Sequence, residues 1–484
     1  MSGKFLWQAE EIVRAVRGRC LQEQSWGVSG ISIDSRMVTS GDLFIALKEE
    51  ARDEQASVAA AFAAGASAAI VSRQPMQVPP AAPLVFVDDT FAALHDLGRQ
   101  GRARAQGKII AVTGSVGKTS TKEMLRLALG AVGAVYAVSG NFNNSWGLPL
   151  ALANLPEDTD YGIFEMGLTH AGELAALSLL ARPDIAVITS IEAVHLECFA
   201  SLEGLADAKA EVFLGMTENG IVLLNRDNLQ YARLANAAKK RGIRKIASFS
   251  TNEKADAVVR ECFPSGEGSA VKAVIAGRKI SYSIGEPGMH LVKNSLAALL
   301  ASFAASGKID ECAAALSHYR LLEGSGSLKT IDLFDGGQIK LIDEGDNASP
   351  ASLRAALGVL AETKLNKKGR GILVLGDMLG LGETAPDLHI GLAPDIVTAG
   401  VSLVFCCGDM MRYLYDALPD ALRGAYALDS EELAPLVARV VRADDVVTVK
   451  GSEGMKMKRI VEELEAFNAL SDSEQKTSLK TANM

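Results

Sequence analysis

Three α/β units in one chain, the middle one a doubly wound parallel sheet around a phosphate-binding turn, are what this sequence predicts, and three observations carry that expectation. Short apolar runs alternate with helical patterns from residue 108 to 250, as parallel strands joined by crossover helices do. The segment AVTGSVGKTSTKEM (111–124) sets an apolar strand, Lys108–Val112, against a glycine turn and a helix opening at Lys118–Thr119. The length, 484 residues, exceeds what one hydrophobic core organises and suits about three domains of typical size.

Each element follows in order. An amphipathic helix opens the first unit, followed by strands in ISIDSR (31–36) and GDLFIAL (41–47), an alanine-rich helix around 56–66, and strands in AAIVS and LVFVD. The polar stretch GRQGRARAQGK (98–108) reads as a boundary. YGIFEMG, PDIAVITSI, GIVLLN and RKIASFS are the next strands, and a more polar, antiparallel section runs from 255 to 285. The helix after Gly288 closes the middle unit, and GSGS (324–327) reads as a hinge. Strands at 339–343, 371–376, 401–407 and 445–449 make a third α/β unit, and the polar end SDSEQKTSLKTANM reads as frayed. The expected units are therefore 1–106, 107–325 and 326–484, moving as rigid bodies about segments near 107 and 325.

Composition narrows the chemistry. Hydrophobic content of 48% with 22% charge is that of a globular chain. A net charge of −9 argues against general binding to nucleic acid or anionic membrane, so an anionic ligand must be held by local loops and lysines. The cysteines at 20, 198, 262, 312, 406 and 407 form no CxxC pair and have no metal-like spacing, which reads as reduced thiols. Glu10 and Glu11 interrupt what a signal peptide would need as an apolar core, and no run of 18 apolar residues could span a bilayer. The expectation is a cytoplasmic protein.

The turn at 113–119 carries the first chemistry. Backbone N–H groups of Gly114, Ser115, Val116 and Gly117 and the helix N-terminus suit a phosphate, Lys118 neutralises the terminal phosphates, and Thr119 with Ser120 supplies hydroxyls, the first suited to Mg²⁺. The general pattern wants a glycine where Val112 stands, so this is a variant loop. Glu165 ends YGIFEMG, His195 follows IAVITSI, and Lys209 lies on a helix in LADAKAEVF. Taken singly, Glu165 also reads as a helix cap, His195 as a satisfied core histidine, and Lys209 as a solvated partner of Glu211. Asn143 and Asn144 in GNFNNSWGLP read either as turn chemistry or as amide donors to a substrate.

Together these segments carry a resemblance that spans nearly the whole chain. TGSVGKTSTKE, GNFNNSWGLPLAL, FEMGLTHAGE, VHLECFASLEGLADAKAEVF, GMHLVKNSLAAL, NASPASLRAAL, LGDMLGLGE and VKGSEGMKM stand in the order and near the spacing of the Mur ligases. The resemblance implies an N-terminal domain that binds a uridine nucleotide, a central ATPase domain and a C-terminal Rossmann-like domain. It also implies a reaction: ATP-dependent joining of D-Ala-D-Ala to UDP-MurNAc-tripeptide, in a monomer that inserts into no membrane. By the same resemblance Thr119, Glu165 and His195 are metal ligands for two Mg²⁺ ions, and Lys209 is the lysine carbamylated by CO₂. His290 and Asn294 match the adenine segment, Asp343 the ribose carboxylate, and Ser35 and Arg36 the uridine loop. Asp377, Lys450, Gly451 and Ser452 lie in motifs that line the closed cleft.

Several positions depart from the family pattern. The usual YNANP reads Asp346-Asn347-Ala348-Ser349-Pro350, removing an aromatic stacking surface, and the hinge Gly-Arg reads Gly324-Ser325. An expected Asp-Gly-His reads Asp53-Glu54-Gln55, and KGSR reads Lys450-Gly451-Ser452-Glu453. Other amide ligases sharing the central domain, and a diverged non-catalytic nucleotide-binding paralogue, are the alternative readings.

Overall fold

A computed structural model describes residues 5–466 except 22–24, 48–53, 139–142, 195, 200, 266–267, 334–335 and 364–368, and only the backbone of 54, 55 and 265. His195, most of the Asp53–Gln55 departure and the polar C-terminal end therefore lie outside the described residues.

Three large sheets follow one another along the chain. In the first, strands run Arg19–Cys20, Leu84–Phe86, Ala68–Val71, Asp42–Ile45, Gly30–Ser32, parallel except at the Arg19–Cys20 edge. The central sheet has nine strands, with Lys108–Thr113 flanked by Tyr161–Glu165 on one side and Ile185–Ile188 on the other. Ile221–Asn225, Lys245–Ser250 and Ala257–Ser265 extend it in parallel, and Gly268–Ile275 and Arg278–Ile284 then pair antiparallel. The third sheet runs Ser327–Asp332, Gln338–Glu344, Val446–Lys450, Gly371–Gly376, Leu403–Cys407, Arg423–Ala427, antiparallel only at its first pair.

The central strands are apolar throughout because both of their faces are covered, as parallel sheets require. Helices Lys118–Gly130 and Met289–Ser306 cover one face, where Val112, Leu125, Val187 and Leu296 share a core. Helices Gly147–Ala153, Glu173–Ala181, Leu202–Ala210 and Tyr231–Lys240 cover the other, around Ala111, Phe164, Ala186 and Phe213.

The stretch at 98–108 departs from expectation. It is polar, but its first part is the second half of the helix Thr90–Arg104. Gly98 and Gly101 let that helix lie directly on Pro149 and Leu152: a Cβ at Gly101 would stand 2.1 Å from the Leu152 carbonyl oxygen. Asn154 pairs with both backbone groups of Ile31, at 2.8 and 2.9 Å, and Trp7 donates its indole N–H to Ala153 O. The first unit thus shares a core with the central one, with Leu150 and Ala153 among its residues. Strands Ser327–Asp332 and Arg423–Ala427 were also not foreseen; the first, SLKTID, is largely polar and sits at the sheet's edge.

Candidate active site

The Lys108–Thr113 strand sits where the sheet's strand order reverses, and ligands of doubly wound sheets bind outside the carboxyl ends of strands at that point. The chain there makes a tight turn. Gly114 has φ +144° and Gly117 φ +82°, and a Cβ would strike Thr189 Oγ1 at the first and Asn294 Oδ1 at the second. Glycine at 114 and 117 is therefore required both by backbone conformation and by contact. Gly117 leads into helix Lys118–Gly130 with no side-chain cap, leaving the N-terminal amides open to an anion.

The turn is braced from the neighbouring strand. Ser115 N–H donates to Ser190 O at 2.9 Å, Val116 N–H to Ser190 Oγ at 3.2 Å, and Thr189 Oγ1 to Val116 O at 2.6 Å. Ser115 Oγ exchanges hydrogen bonds with the backbone of Glu192. Asn225 secures Thr189 O from the next strand at 2.9 Å. Sequence reading did not single out Thr189, Ser190 or Asn225; the hydroxyl pair ending an apolar strand is the available signal, but its adjacency to the turn comes only from strand order. Lys118 Nζ folds back to Ser115 O at 3.2 Å, and Ser120 hydrogen-bonds the buried Tyr319, whose hydroxyl pKa burial pushes up to about 12.

Glu165 ends the adjacent strand and is buried. Its Oε2 accepts from Thr119 Oγ1 at 2.9 Å and its Oε1 from Asn143 Nδ2 at 3.2 Å. Carboxylate, hydroxyl and amide thus converge beside Lys118, and Glu165 is no helix cap. Asn144 does the other job foreseen for this pair: its Oδ1 accepts from Gly147 N–H at 2.9 Å and opens the helix Gly147–Ala153. Lys209 is not a solvated partner of Glu211. It is 3% exposed, whereas Glu211 caps Gly172 and Ala175. Burial holds the Lys209 ammonium pKa well below its ordinary value, Lys118 pushes it further down, and Glu165 partly opposes them. Lys122, also missed, is buried one helical turn after Lys118 and donates to Val138 O at 2.8 Å, just before the asparagine segment.

The remaining sites divide between two clefts. His290, at the N-terminus of Met289–Ser306, has its pKa lowered by burial, with Glu344 raising and Lys450 lowering it, so it faces the third unit. Asn294 is buried against Gly117, under the turn. Lys450 is buried and binds Glu344 Oε2 at 2.7 Å and Asn347 O at 2.9 Å. Gly451 packs on Gly376 and Met457, and Ser452 ties the loop after Gly376. Asp377 is spent internally, accepting from Met410 and Met411 N–H. Asp343 is buried and accepts from Gly345 N–H. Asp346 lies on Gly324, beside Ser325; burial raises its pKa, and Asp343 and Glu453 raise it further. The departures at 325, 346 and 453 thus gather in one region. Ser35 and Arg36 line a cavity of about 220 Å³ in the first unit, where Arg36 is clamped to Asp34 at 2.9 Å. A second, about 650 Å³, is lined by Asp89, Phe91 and Trp146.

The Mur ligase middle domain matches residues 112–302, and the Mur ligase glutamate ligase domain matches residues 335–453. The UDP-N-acetylmuramoyl-tripeptide–D-alanyl-D-alanine ligase of Rickettsia prowazekii is 34% identical over 432 residues, covering 89% of this chain and 94% of that protein. The chain belongs to the Mur ligase family. The like-named ligase of Escherichia coli K12 is 32% identical over 92% of this chain and 95% of its own length. Among solved Mur ligases, MurF of Acinetobacter baumannii superposes with a TM-score of 0.81 at 27% identity, covering 95% and 99% of the two chains. MurF of Thermotoga maritima in complex with ADP has the same fold, with a TM-score of 0.75 at 23% identity.

Proposed function

We infer that this Mur ligase uses ATP to join D-Ala-D-Ala to UDP-MurNAc-tripeptide, giving the pentapeptide precursor of peptidoglycan. Full-length likeness to ligases of that name supports the reaction. The observation that carries the chemistry is the convergence of Lys118, Thr119, Glu165 and the buried Lys209 at one strand end.

The tripeptide's terminal carboxylate attacks the γ-phosphorus of ATP, the bond to ADP breaks, and an acyl phosphate forms. The amine of D-Ala-D-Ala adds to the acyl carbon and loses a proton, and phosphate departs from the tetrahedral intermediate. No side chain need become covalently attached. The protein's part is positioning and electrostatics. The 114–117 turn and helix N-terminus hold the phosphates, and Lys118 spreads the charge of the transferring group. The three units close over the reaction and exclude water from the acyl phosphate.

The donor set also fits Mg²⁺. Thr119 and Glu165 offer the oxygen ligands this ion prefers, and no group of three or more His, Cys, Asp or Glu side chains forms a closed metal cage among the described residues. Bound Mg²⁺ would neutralise the phosphate oxygens as charge moves between them. Lys209 supplies a further oxygen ligand if it captures CO₂: its nitrogen adds to the carbon, loses a proton and becomes a carbamate. A lysine reacts this way only when neutral, which is the form its burial favours. His195 joins this set by resemblance.

The first cavity takes the uridine end of the substrate beside Ser35 and Arg36, and the second, at Trp146, takes another part of the same substrate. His290, Asn294 and Asp343 serve ATP, and Asp377, Lys450, Gly451 and Ser452 the closed cleft. We place the unit boundaries at 106/107 and 325/326 and the molecule in the cytoplasm as a monomer; no helix of the described residues is long and apolar enough to cross a membrane. The test is phosphate release from ATP with and without both co-substrates. Release that requires UDP-MurNAc-tripeptide and D-Ala-D-Ala together is the expected result; release indifferent to them would point to a non-catalytic nucleotide-binding scaffold.

A further inference from the structure

His389 is wholly buried in the third unit, and the ligase reading gives it no role. Its two ring nitrogens have different partners. Nδ1 lies 2.6 Å from Ala385 O, which can only accept, so Nδ1 carries the proton. Nε2 lies 3.1 Å from Met378 N, which can only donate, so Nε2 is a bare lone pair. The ring therefore joins the two ends of one loop: Met378 follows the strand Gly371–Gly376, and Ala385 begins the helix Ala385–Ile390.

That loop is tied on its other side as well. Ser452 N–H donates to Asp377 O at 3.1 Å, and Leu379 N–H to Ser452 Oγ at 2.9 Å. Its tip reaches the central unit: Glu197 N–H points to Gly380 O at 3.5 Å, and a Cβ on Gly382, at φ +62°, would touch Glu197 Cα at 3.4 Å. Glu197 lies two residues from position 195. We propose that His389 is a positioning residue of this ligase: as the neutral Nδ1–H tautomer it locks the Met378–Thr384 loop in the shape that props the segment beside His195.

Protonation would set a second N–H against Met378 N–H and break the lock. Burial holds the imidazole pKa below its ordinary value. The Ala385 carbonyl favours the cation, and so, among the charged groups on surrounding elements (Asp377, Glu383, Asp387, Arg412 and Asp416), does Asp377. The kinetic part of the inference rests on the ligase reading; the loop part does not.

The test uses the full chain. In wild-type protein labelled with ¹⁵N-histidine, His389 should show a protonated Nδ1 and a bare Nε2; the opposite tautomer overturns the proposal. His389→Gln keeps an acceptor for Met378 and His389→Phe does not. Hydrogen exchange at Met378 should speed up in the Phe variant alone, and ligation kcat should fall about tenfold in Phe but stay within about threefold in Gln. The acid limb of the wild-type kcat profile should be displaced in the Gln variant, which a merely space-filling ring would not cause. Equal exchange and turnover in the Phe variant, equal losses in both, or an unmoved acid limb overturns it. If the Phe variant fails to fold, the tautomer and the Gln profile still decide. If wild-type protein shows no ligation, the functional reading fails while the tautomer and the exchange data still judge the loop.

Discussion

Lys209 is 3% exposed, and among the described residues no hydrogen bond reaches its nitrogen. Such an ammonium is costly unless something removes its charge. Carbamylation, as proposed, would remove it and supply an anion, so Lys209→Ala should lose most ligation and regain part of it with millimolar acetate or formate. Near-normal turnover of Lys209→Ala without added acid would refute the role. A linked effect appears in stability. Because the folded lysine binds its proton more weakly than the unfolded one, the unfolded state holds more protons between the two values, and stability rises with pH. In CO₂-free buffer, wild-type protein should therefore gain stability relative to Lys209→Met as pH climbs from the depressed folded value toward 10.5. Parallel denaturation curves across that window would count against it. Lys118 differs: among the described residues its Nζ is bound only to the Ser115 carbonyl oxygen. Its removal should cost about 100-fold or more in turnover, with little change in melting temperature; unchanged turnover would remove it from the mechanism.

At the level of elements, the phosphate turn, its helix and the alternating strands were legible because each has a local cause. Glycine supplies positive φ, apolar runs mark strands covered on both faces, and Gly288 and Gly307 bracket the Met289–Ser306 helix. The polar stretch at 98–104 was misread because its small residues, not its charged ones, decide its packing. Gly101 meets a backbone carbonyl rather than the end of a flexible side chain. Gly101→Ala should therefore destabilise the protein by about 1–3 kcal/mol, seen as a lower melting temperature with the ATP affinity of the surviving fold unchanged. An unaltered melting temperature would mean that the two helices can part at little cost.

Across the whole molecule, the two junctions differ. Near 107 the first and central units interpenetrate: Gly98 and Gly101 lie on Pro149 and Leu152, Trp7 donates to Ala153 O, and Asn154 grips Ile31. Of the two expected hinges, near 107 and near 325, this packing favours the second, the glycine turn at 324–326, where Gly324 and Gly326 hold positive φ. Small-angle scattering should show compaction when an ATP analogue and UDP-MurNAc-tripeptide bind together; no compaction would argue against closure. Trp146 is 44% exposed at the larger cavity, while Trp7 is fully buried. Binding of UDP-MurNAc-tripeptide should change tryptophan emission in wild-type protein much more than in Trp146→Phe, and equal responses would place the substrate elsewhere.

From the chain alone came the α/β class, the phosphate turn and the family, because strand periodicity, glycine conformation and motif order are all written within short windows. The chain alone left the Asn143–Asn144 pair ambiguous and, taken singly, favoured the bland readings of Glu165 and Lys209. Strand order decided their surroundings. It set the Tyr161–Glu165 strand beside Lys108–Thr113, brought Glu165 to Thr119 and Asn143, and buried Lys209 instead of leaving it with Glu211. It also split the asparagines into one facing a carboxylate and one opening a helix. Burial and the company of a charge are properties of neighbours distant in sequence, and no local window contains them.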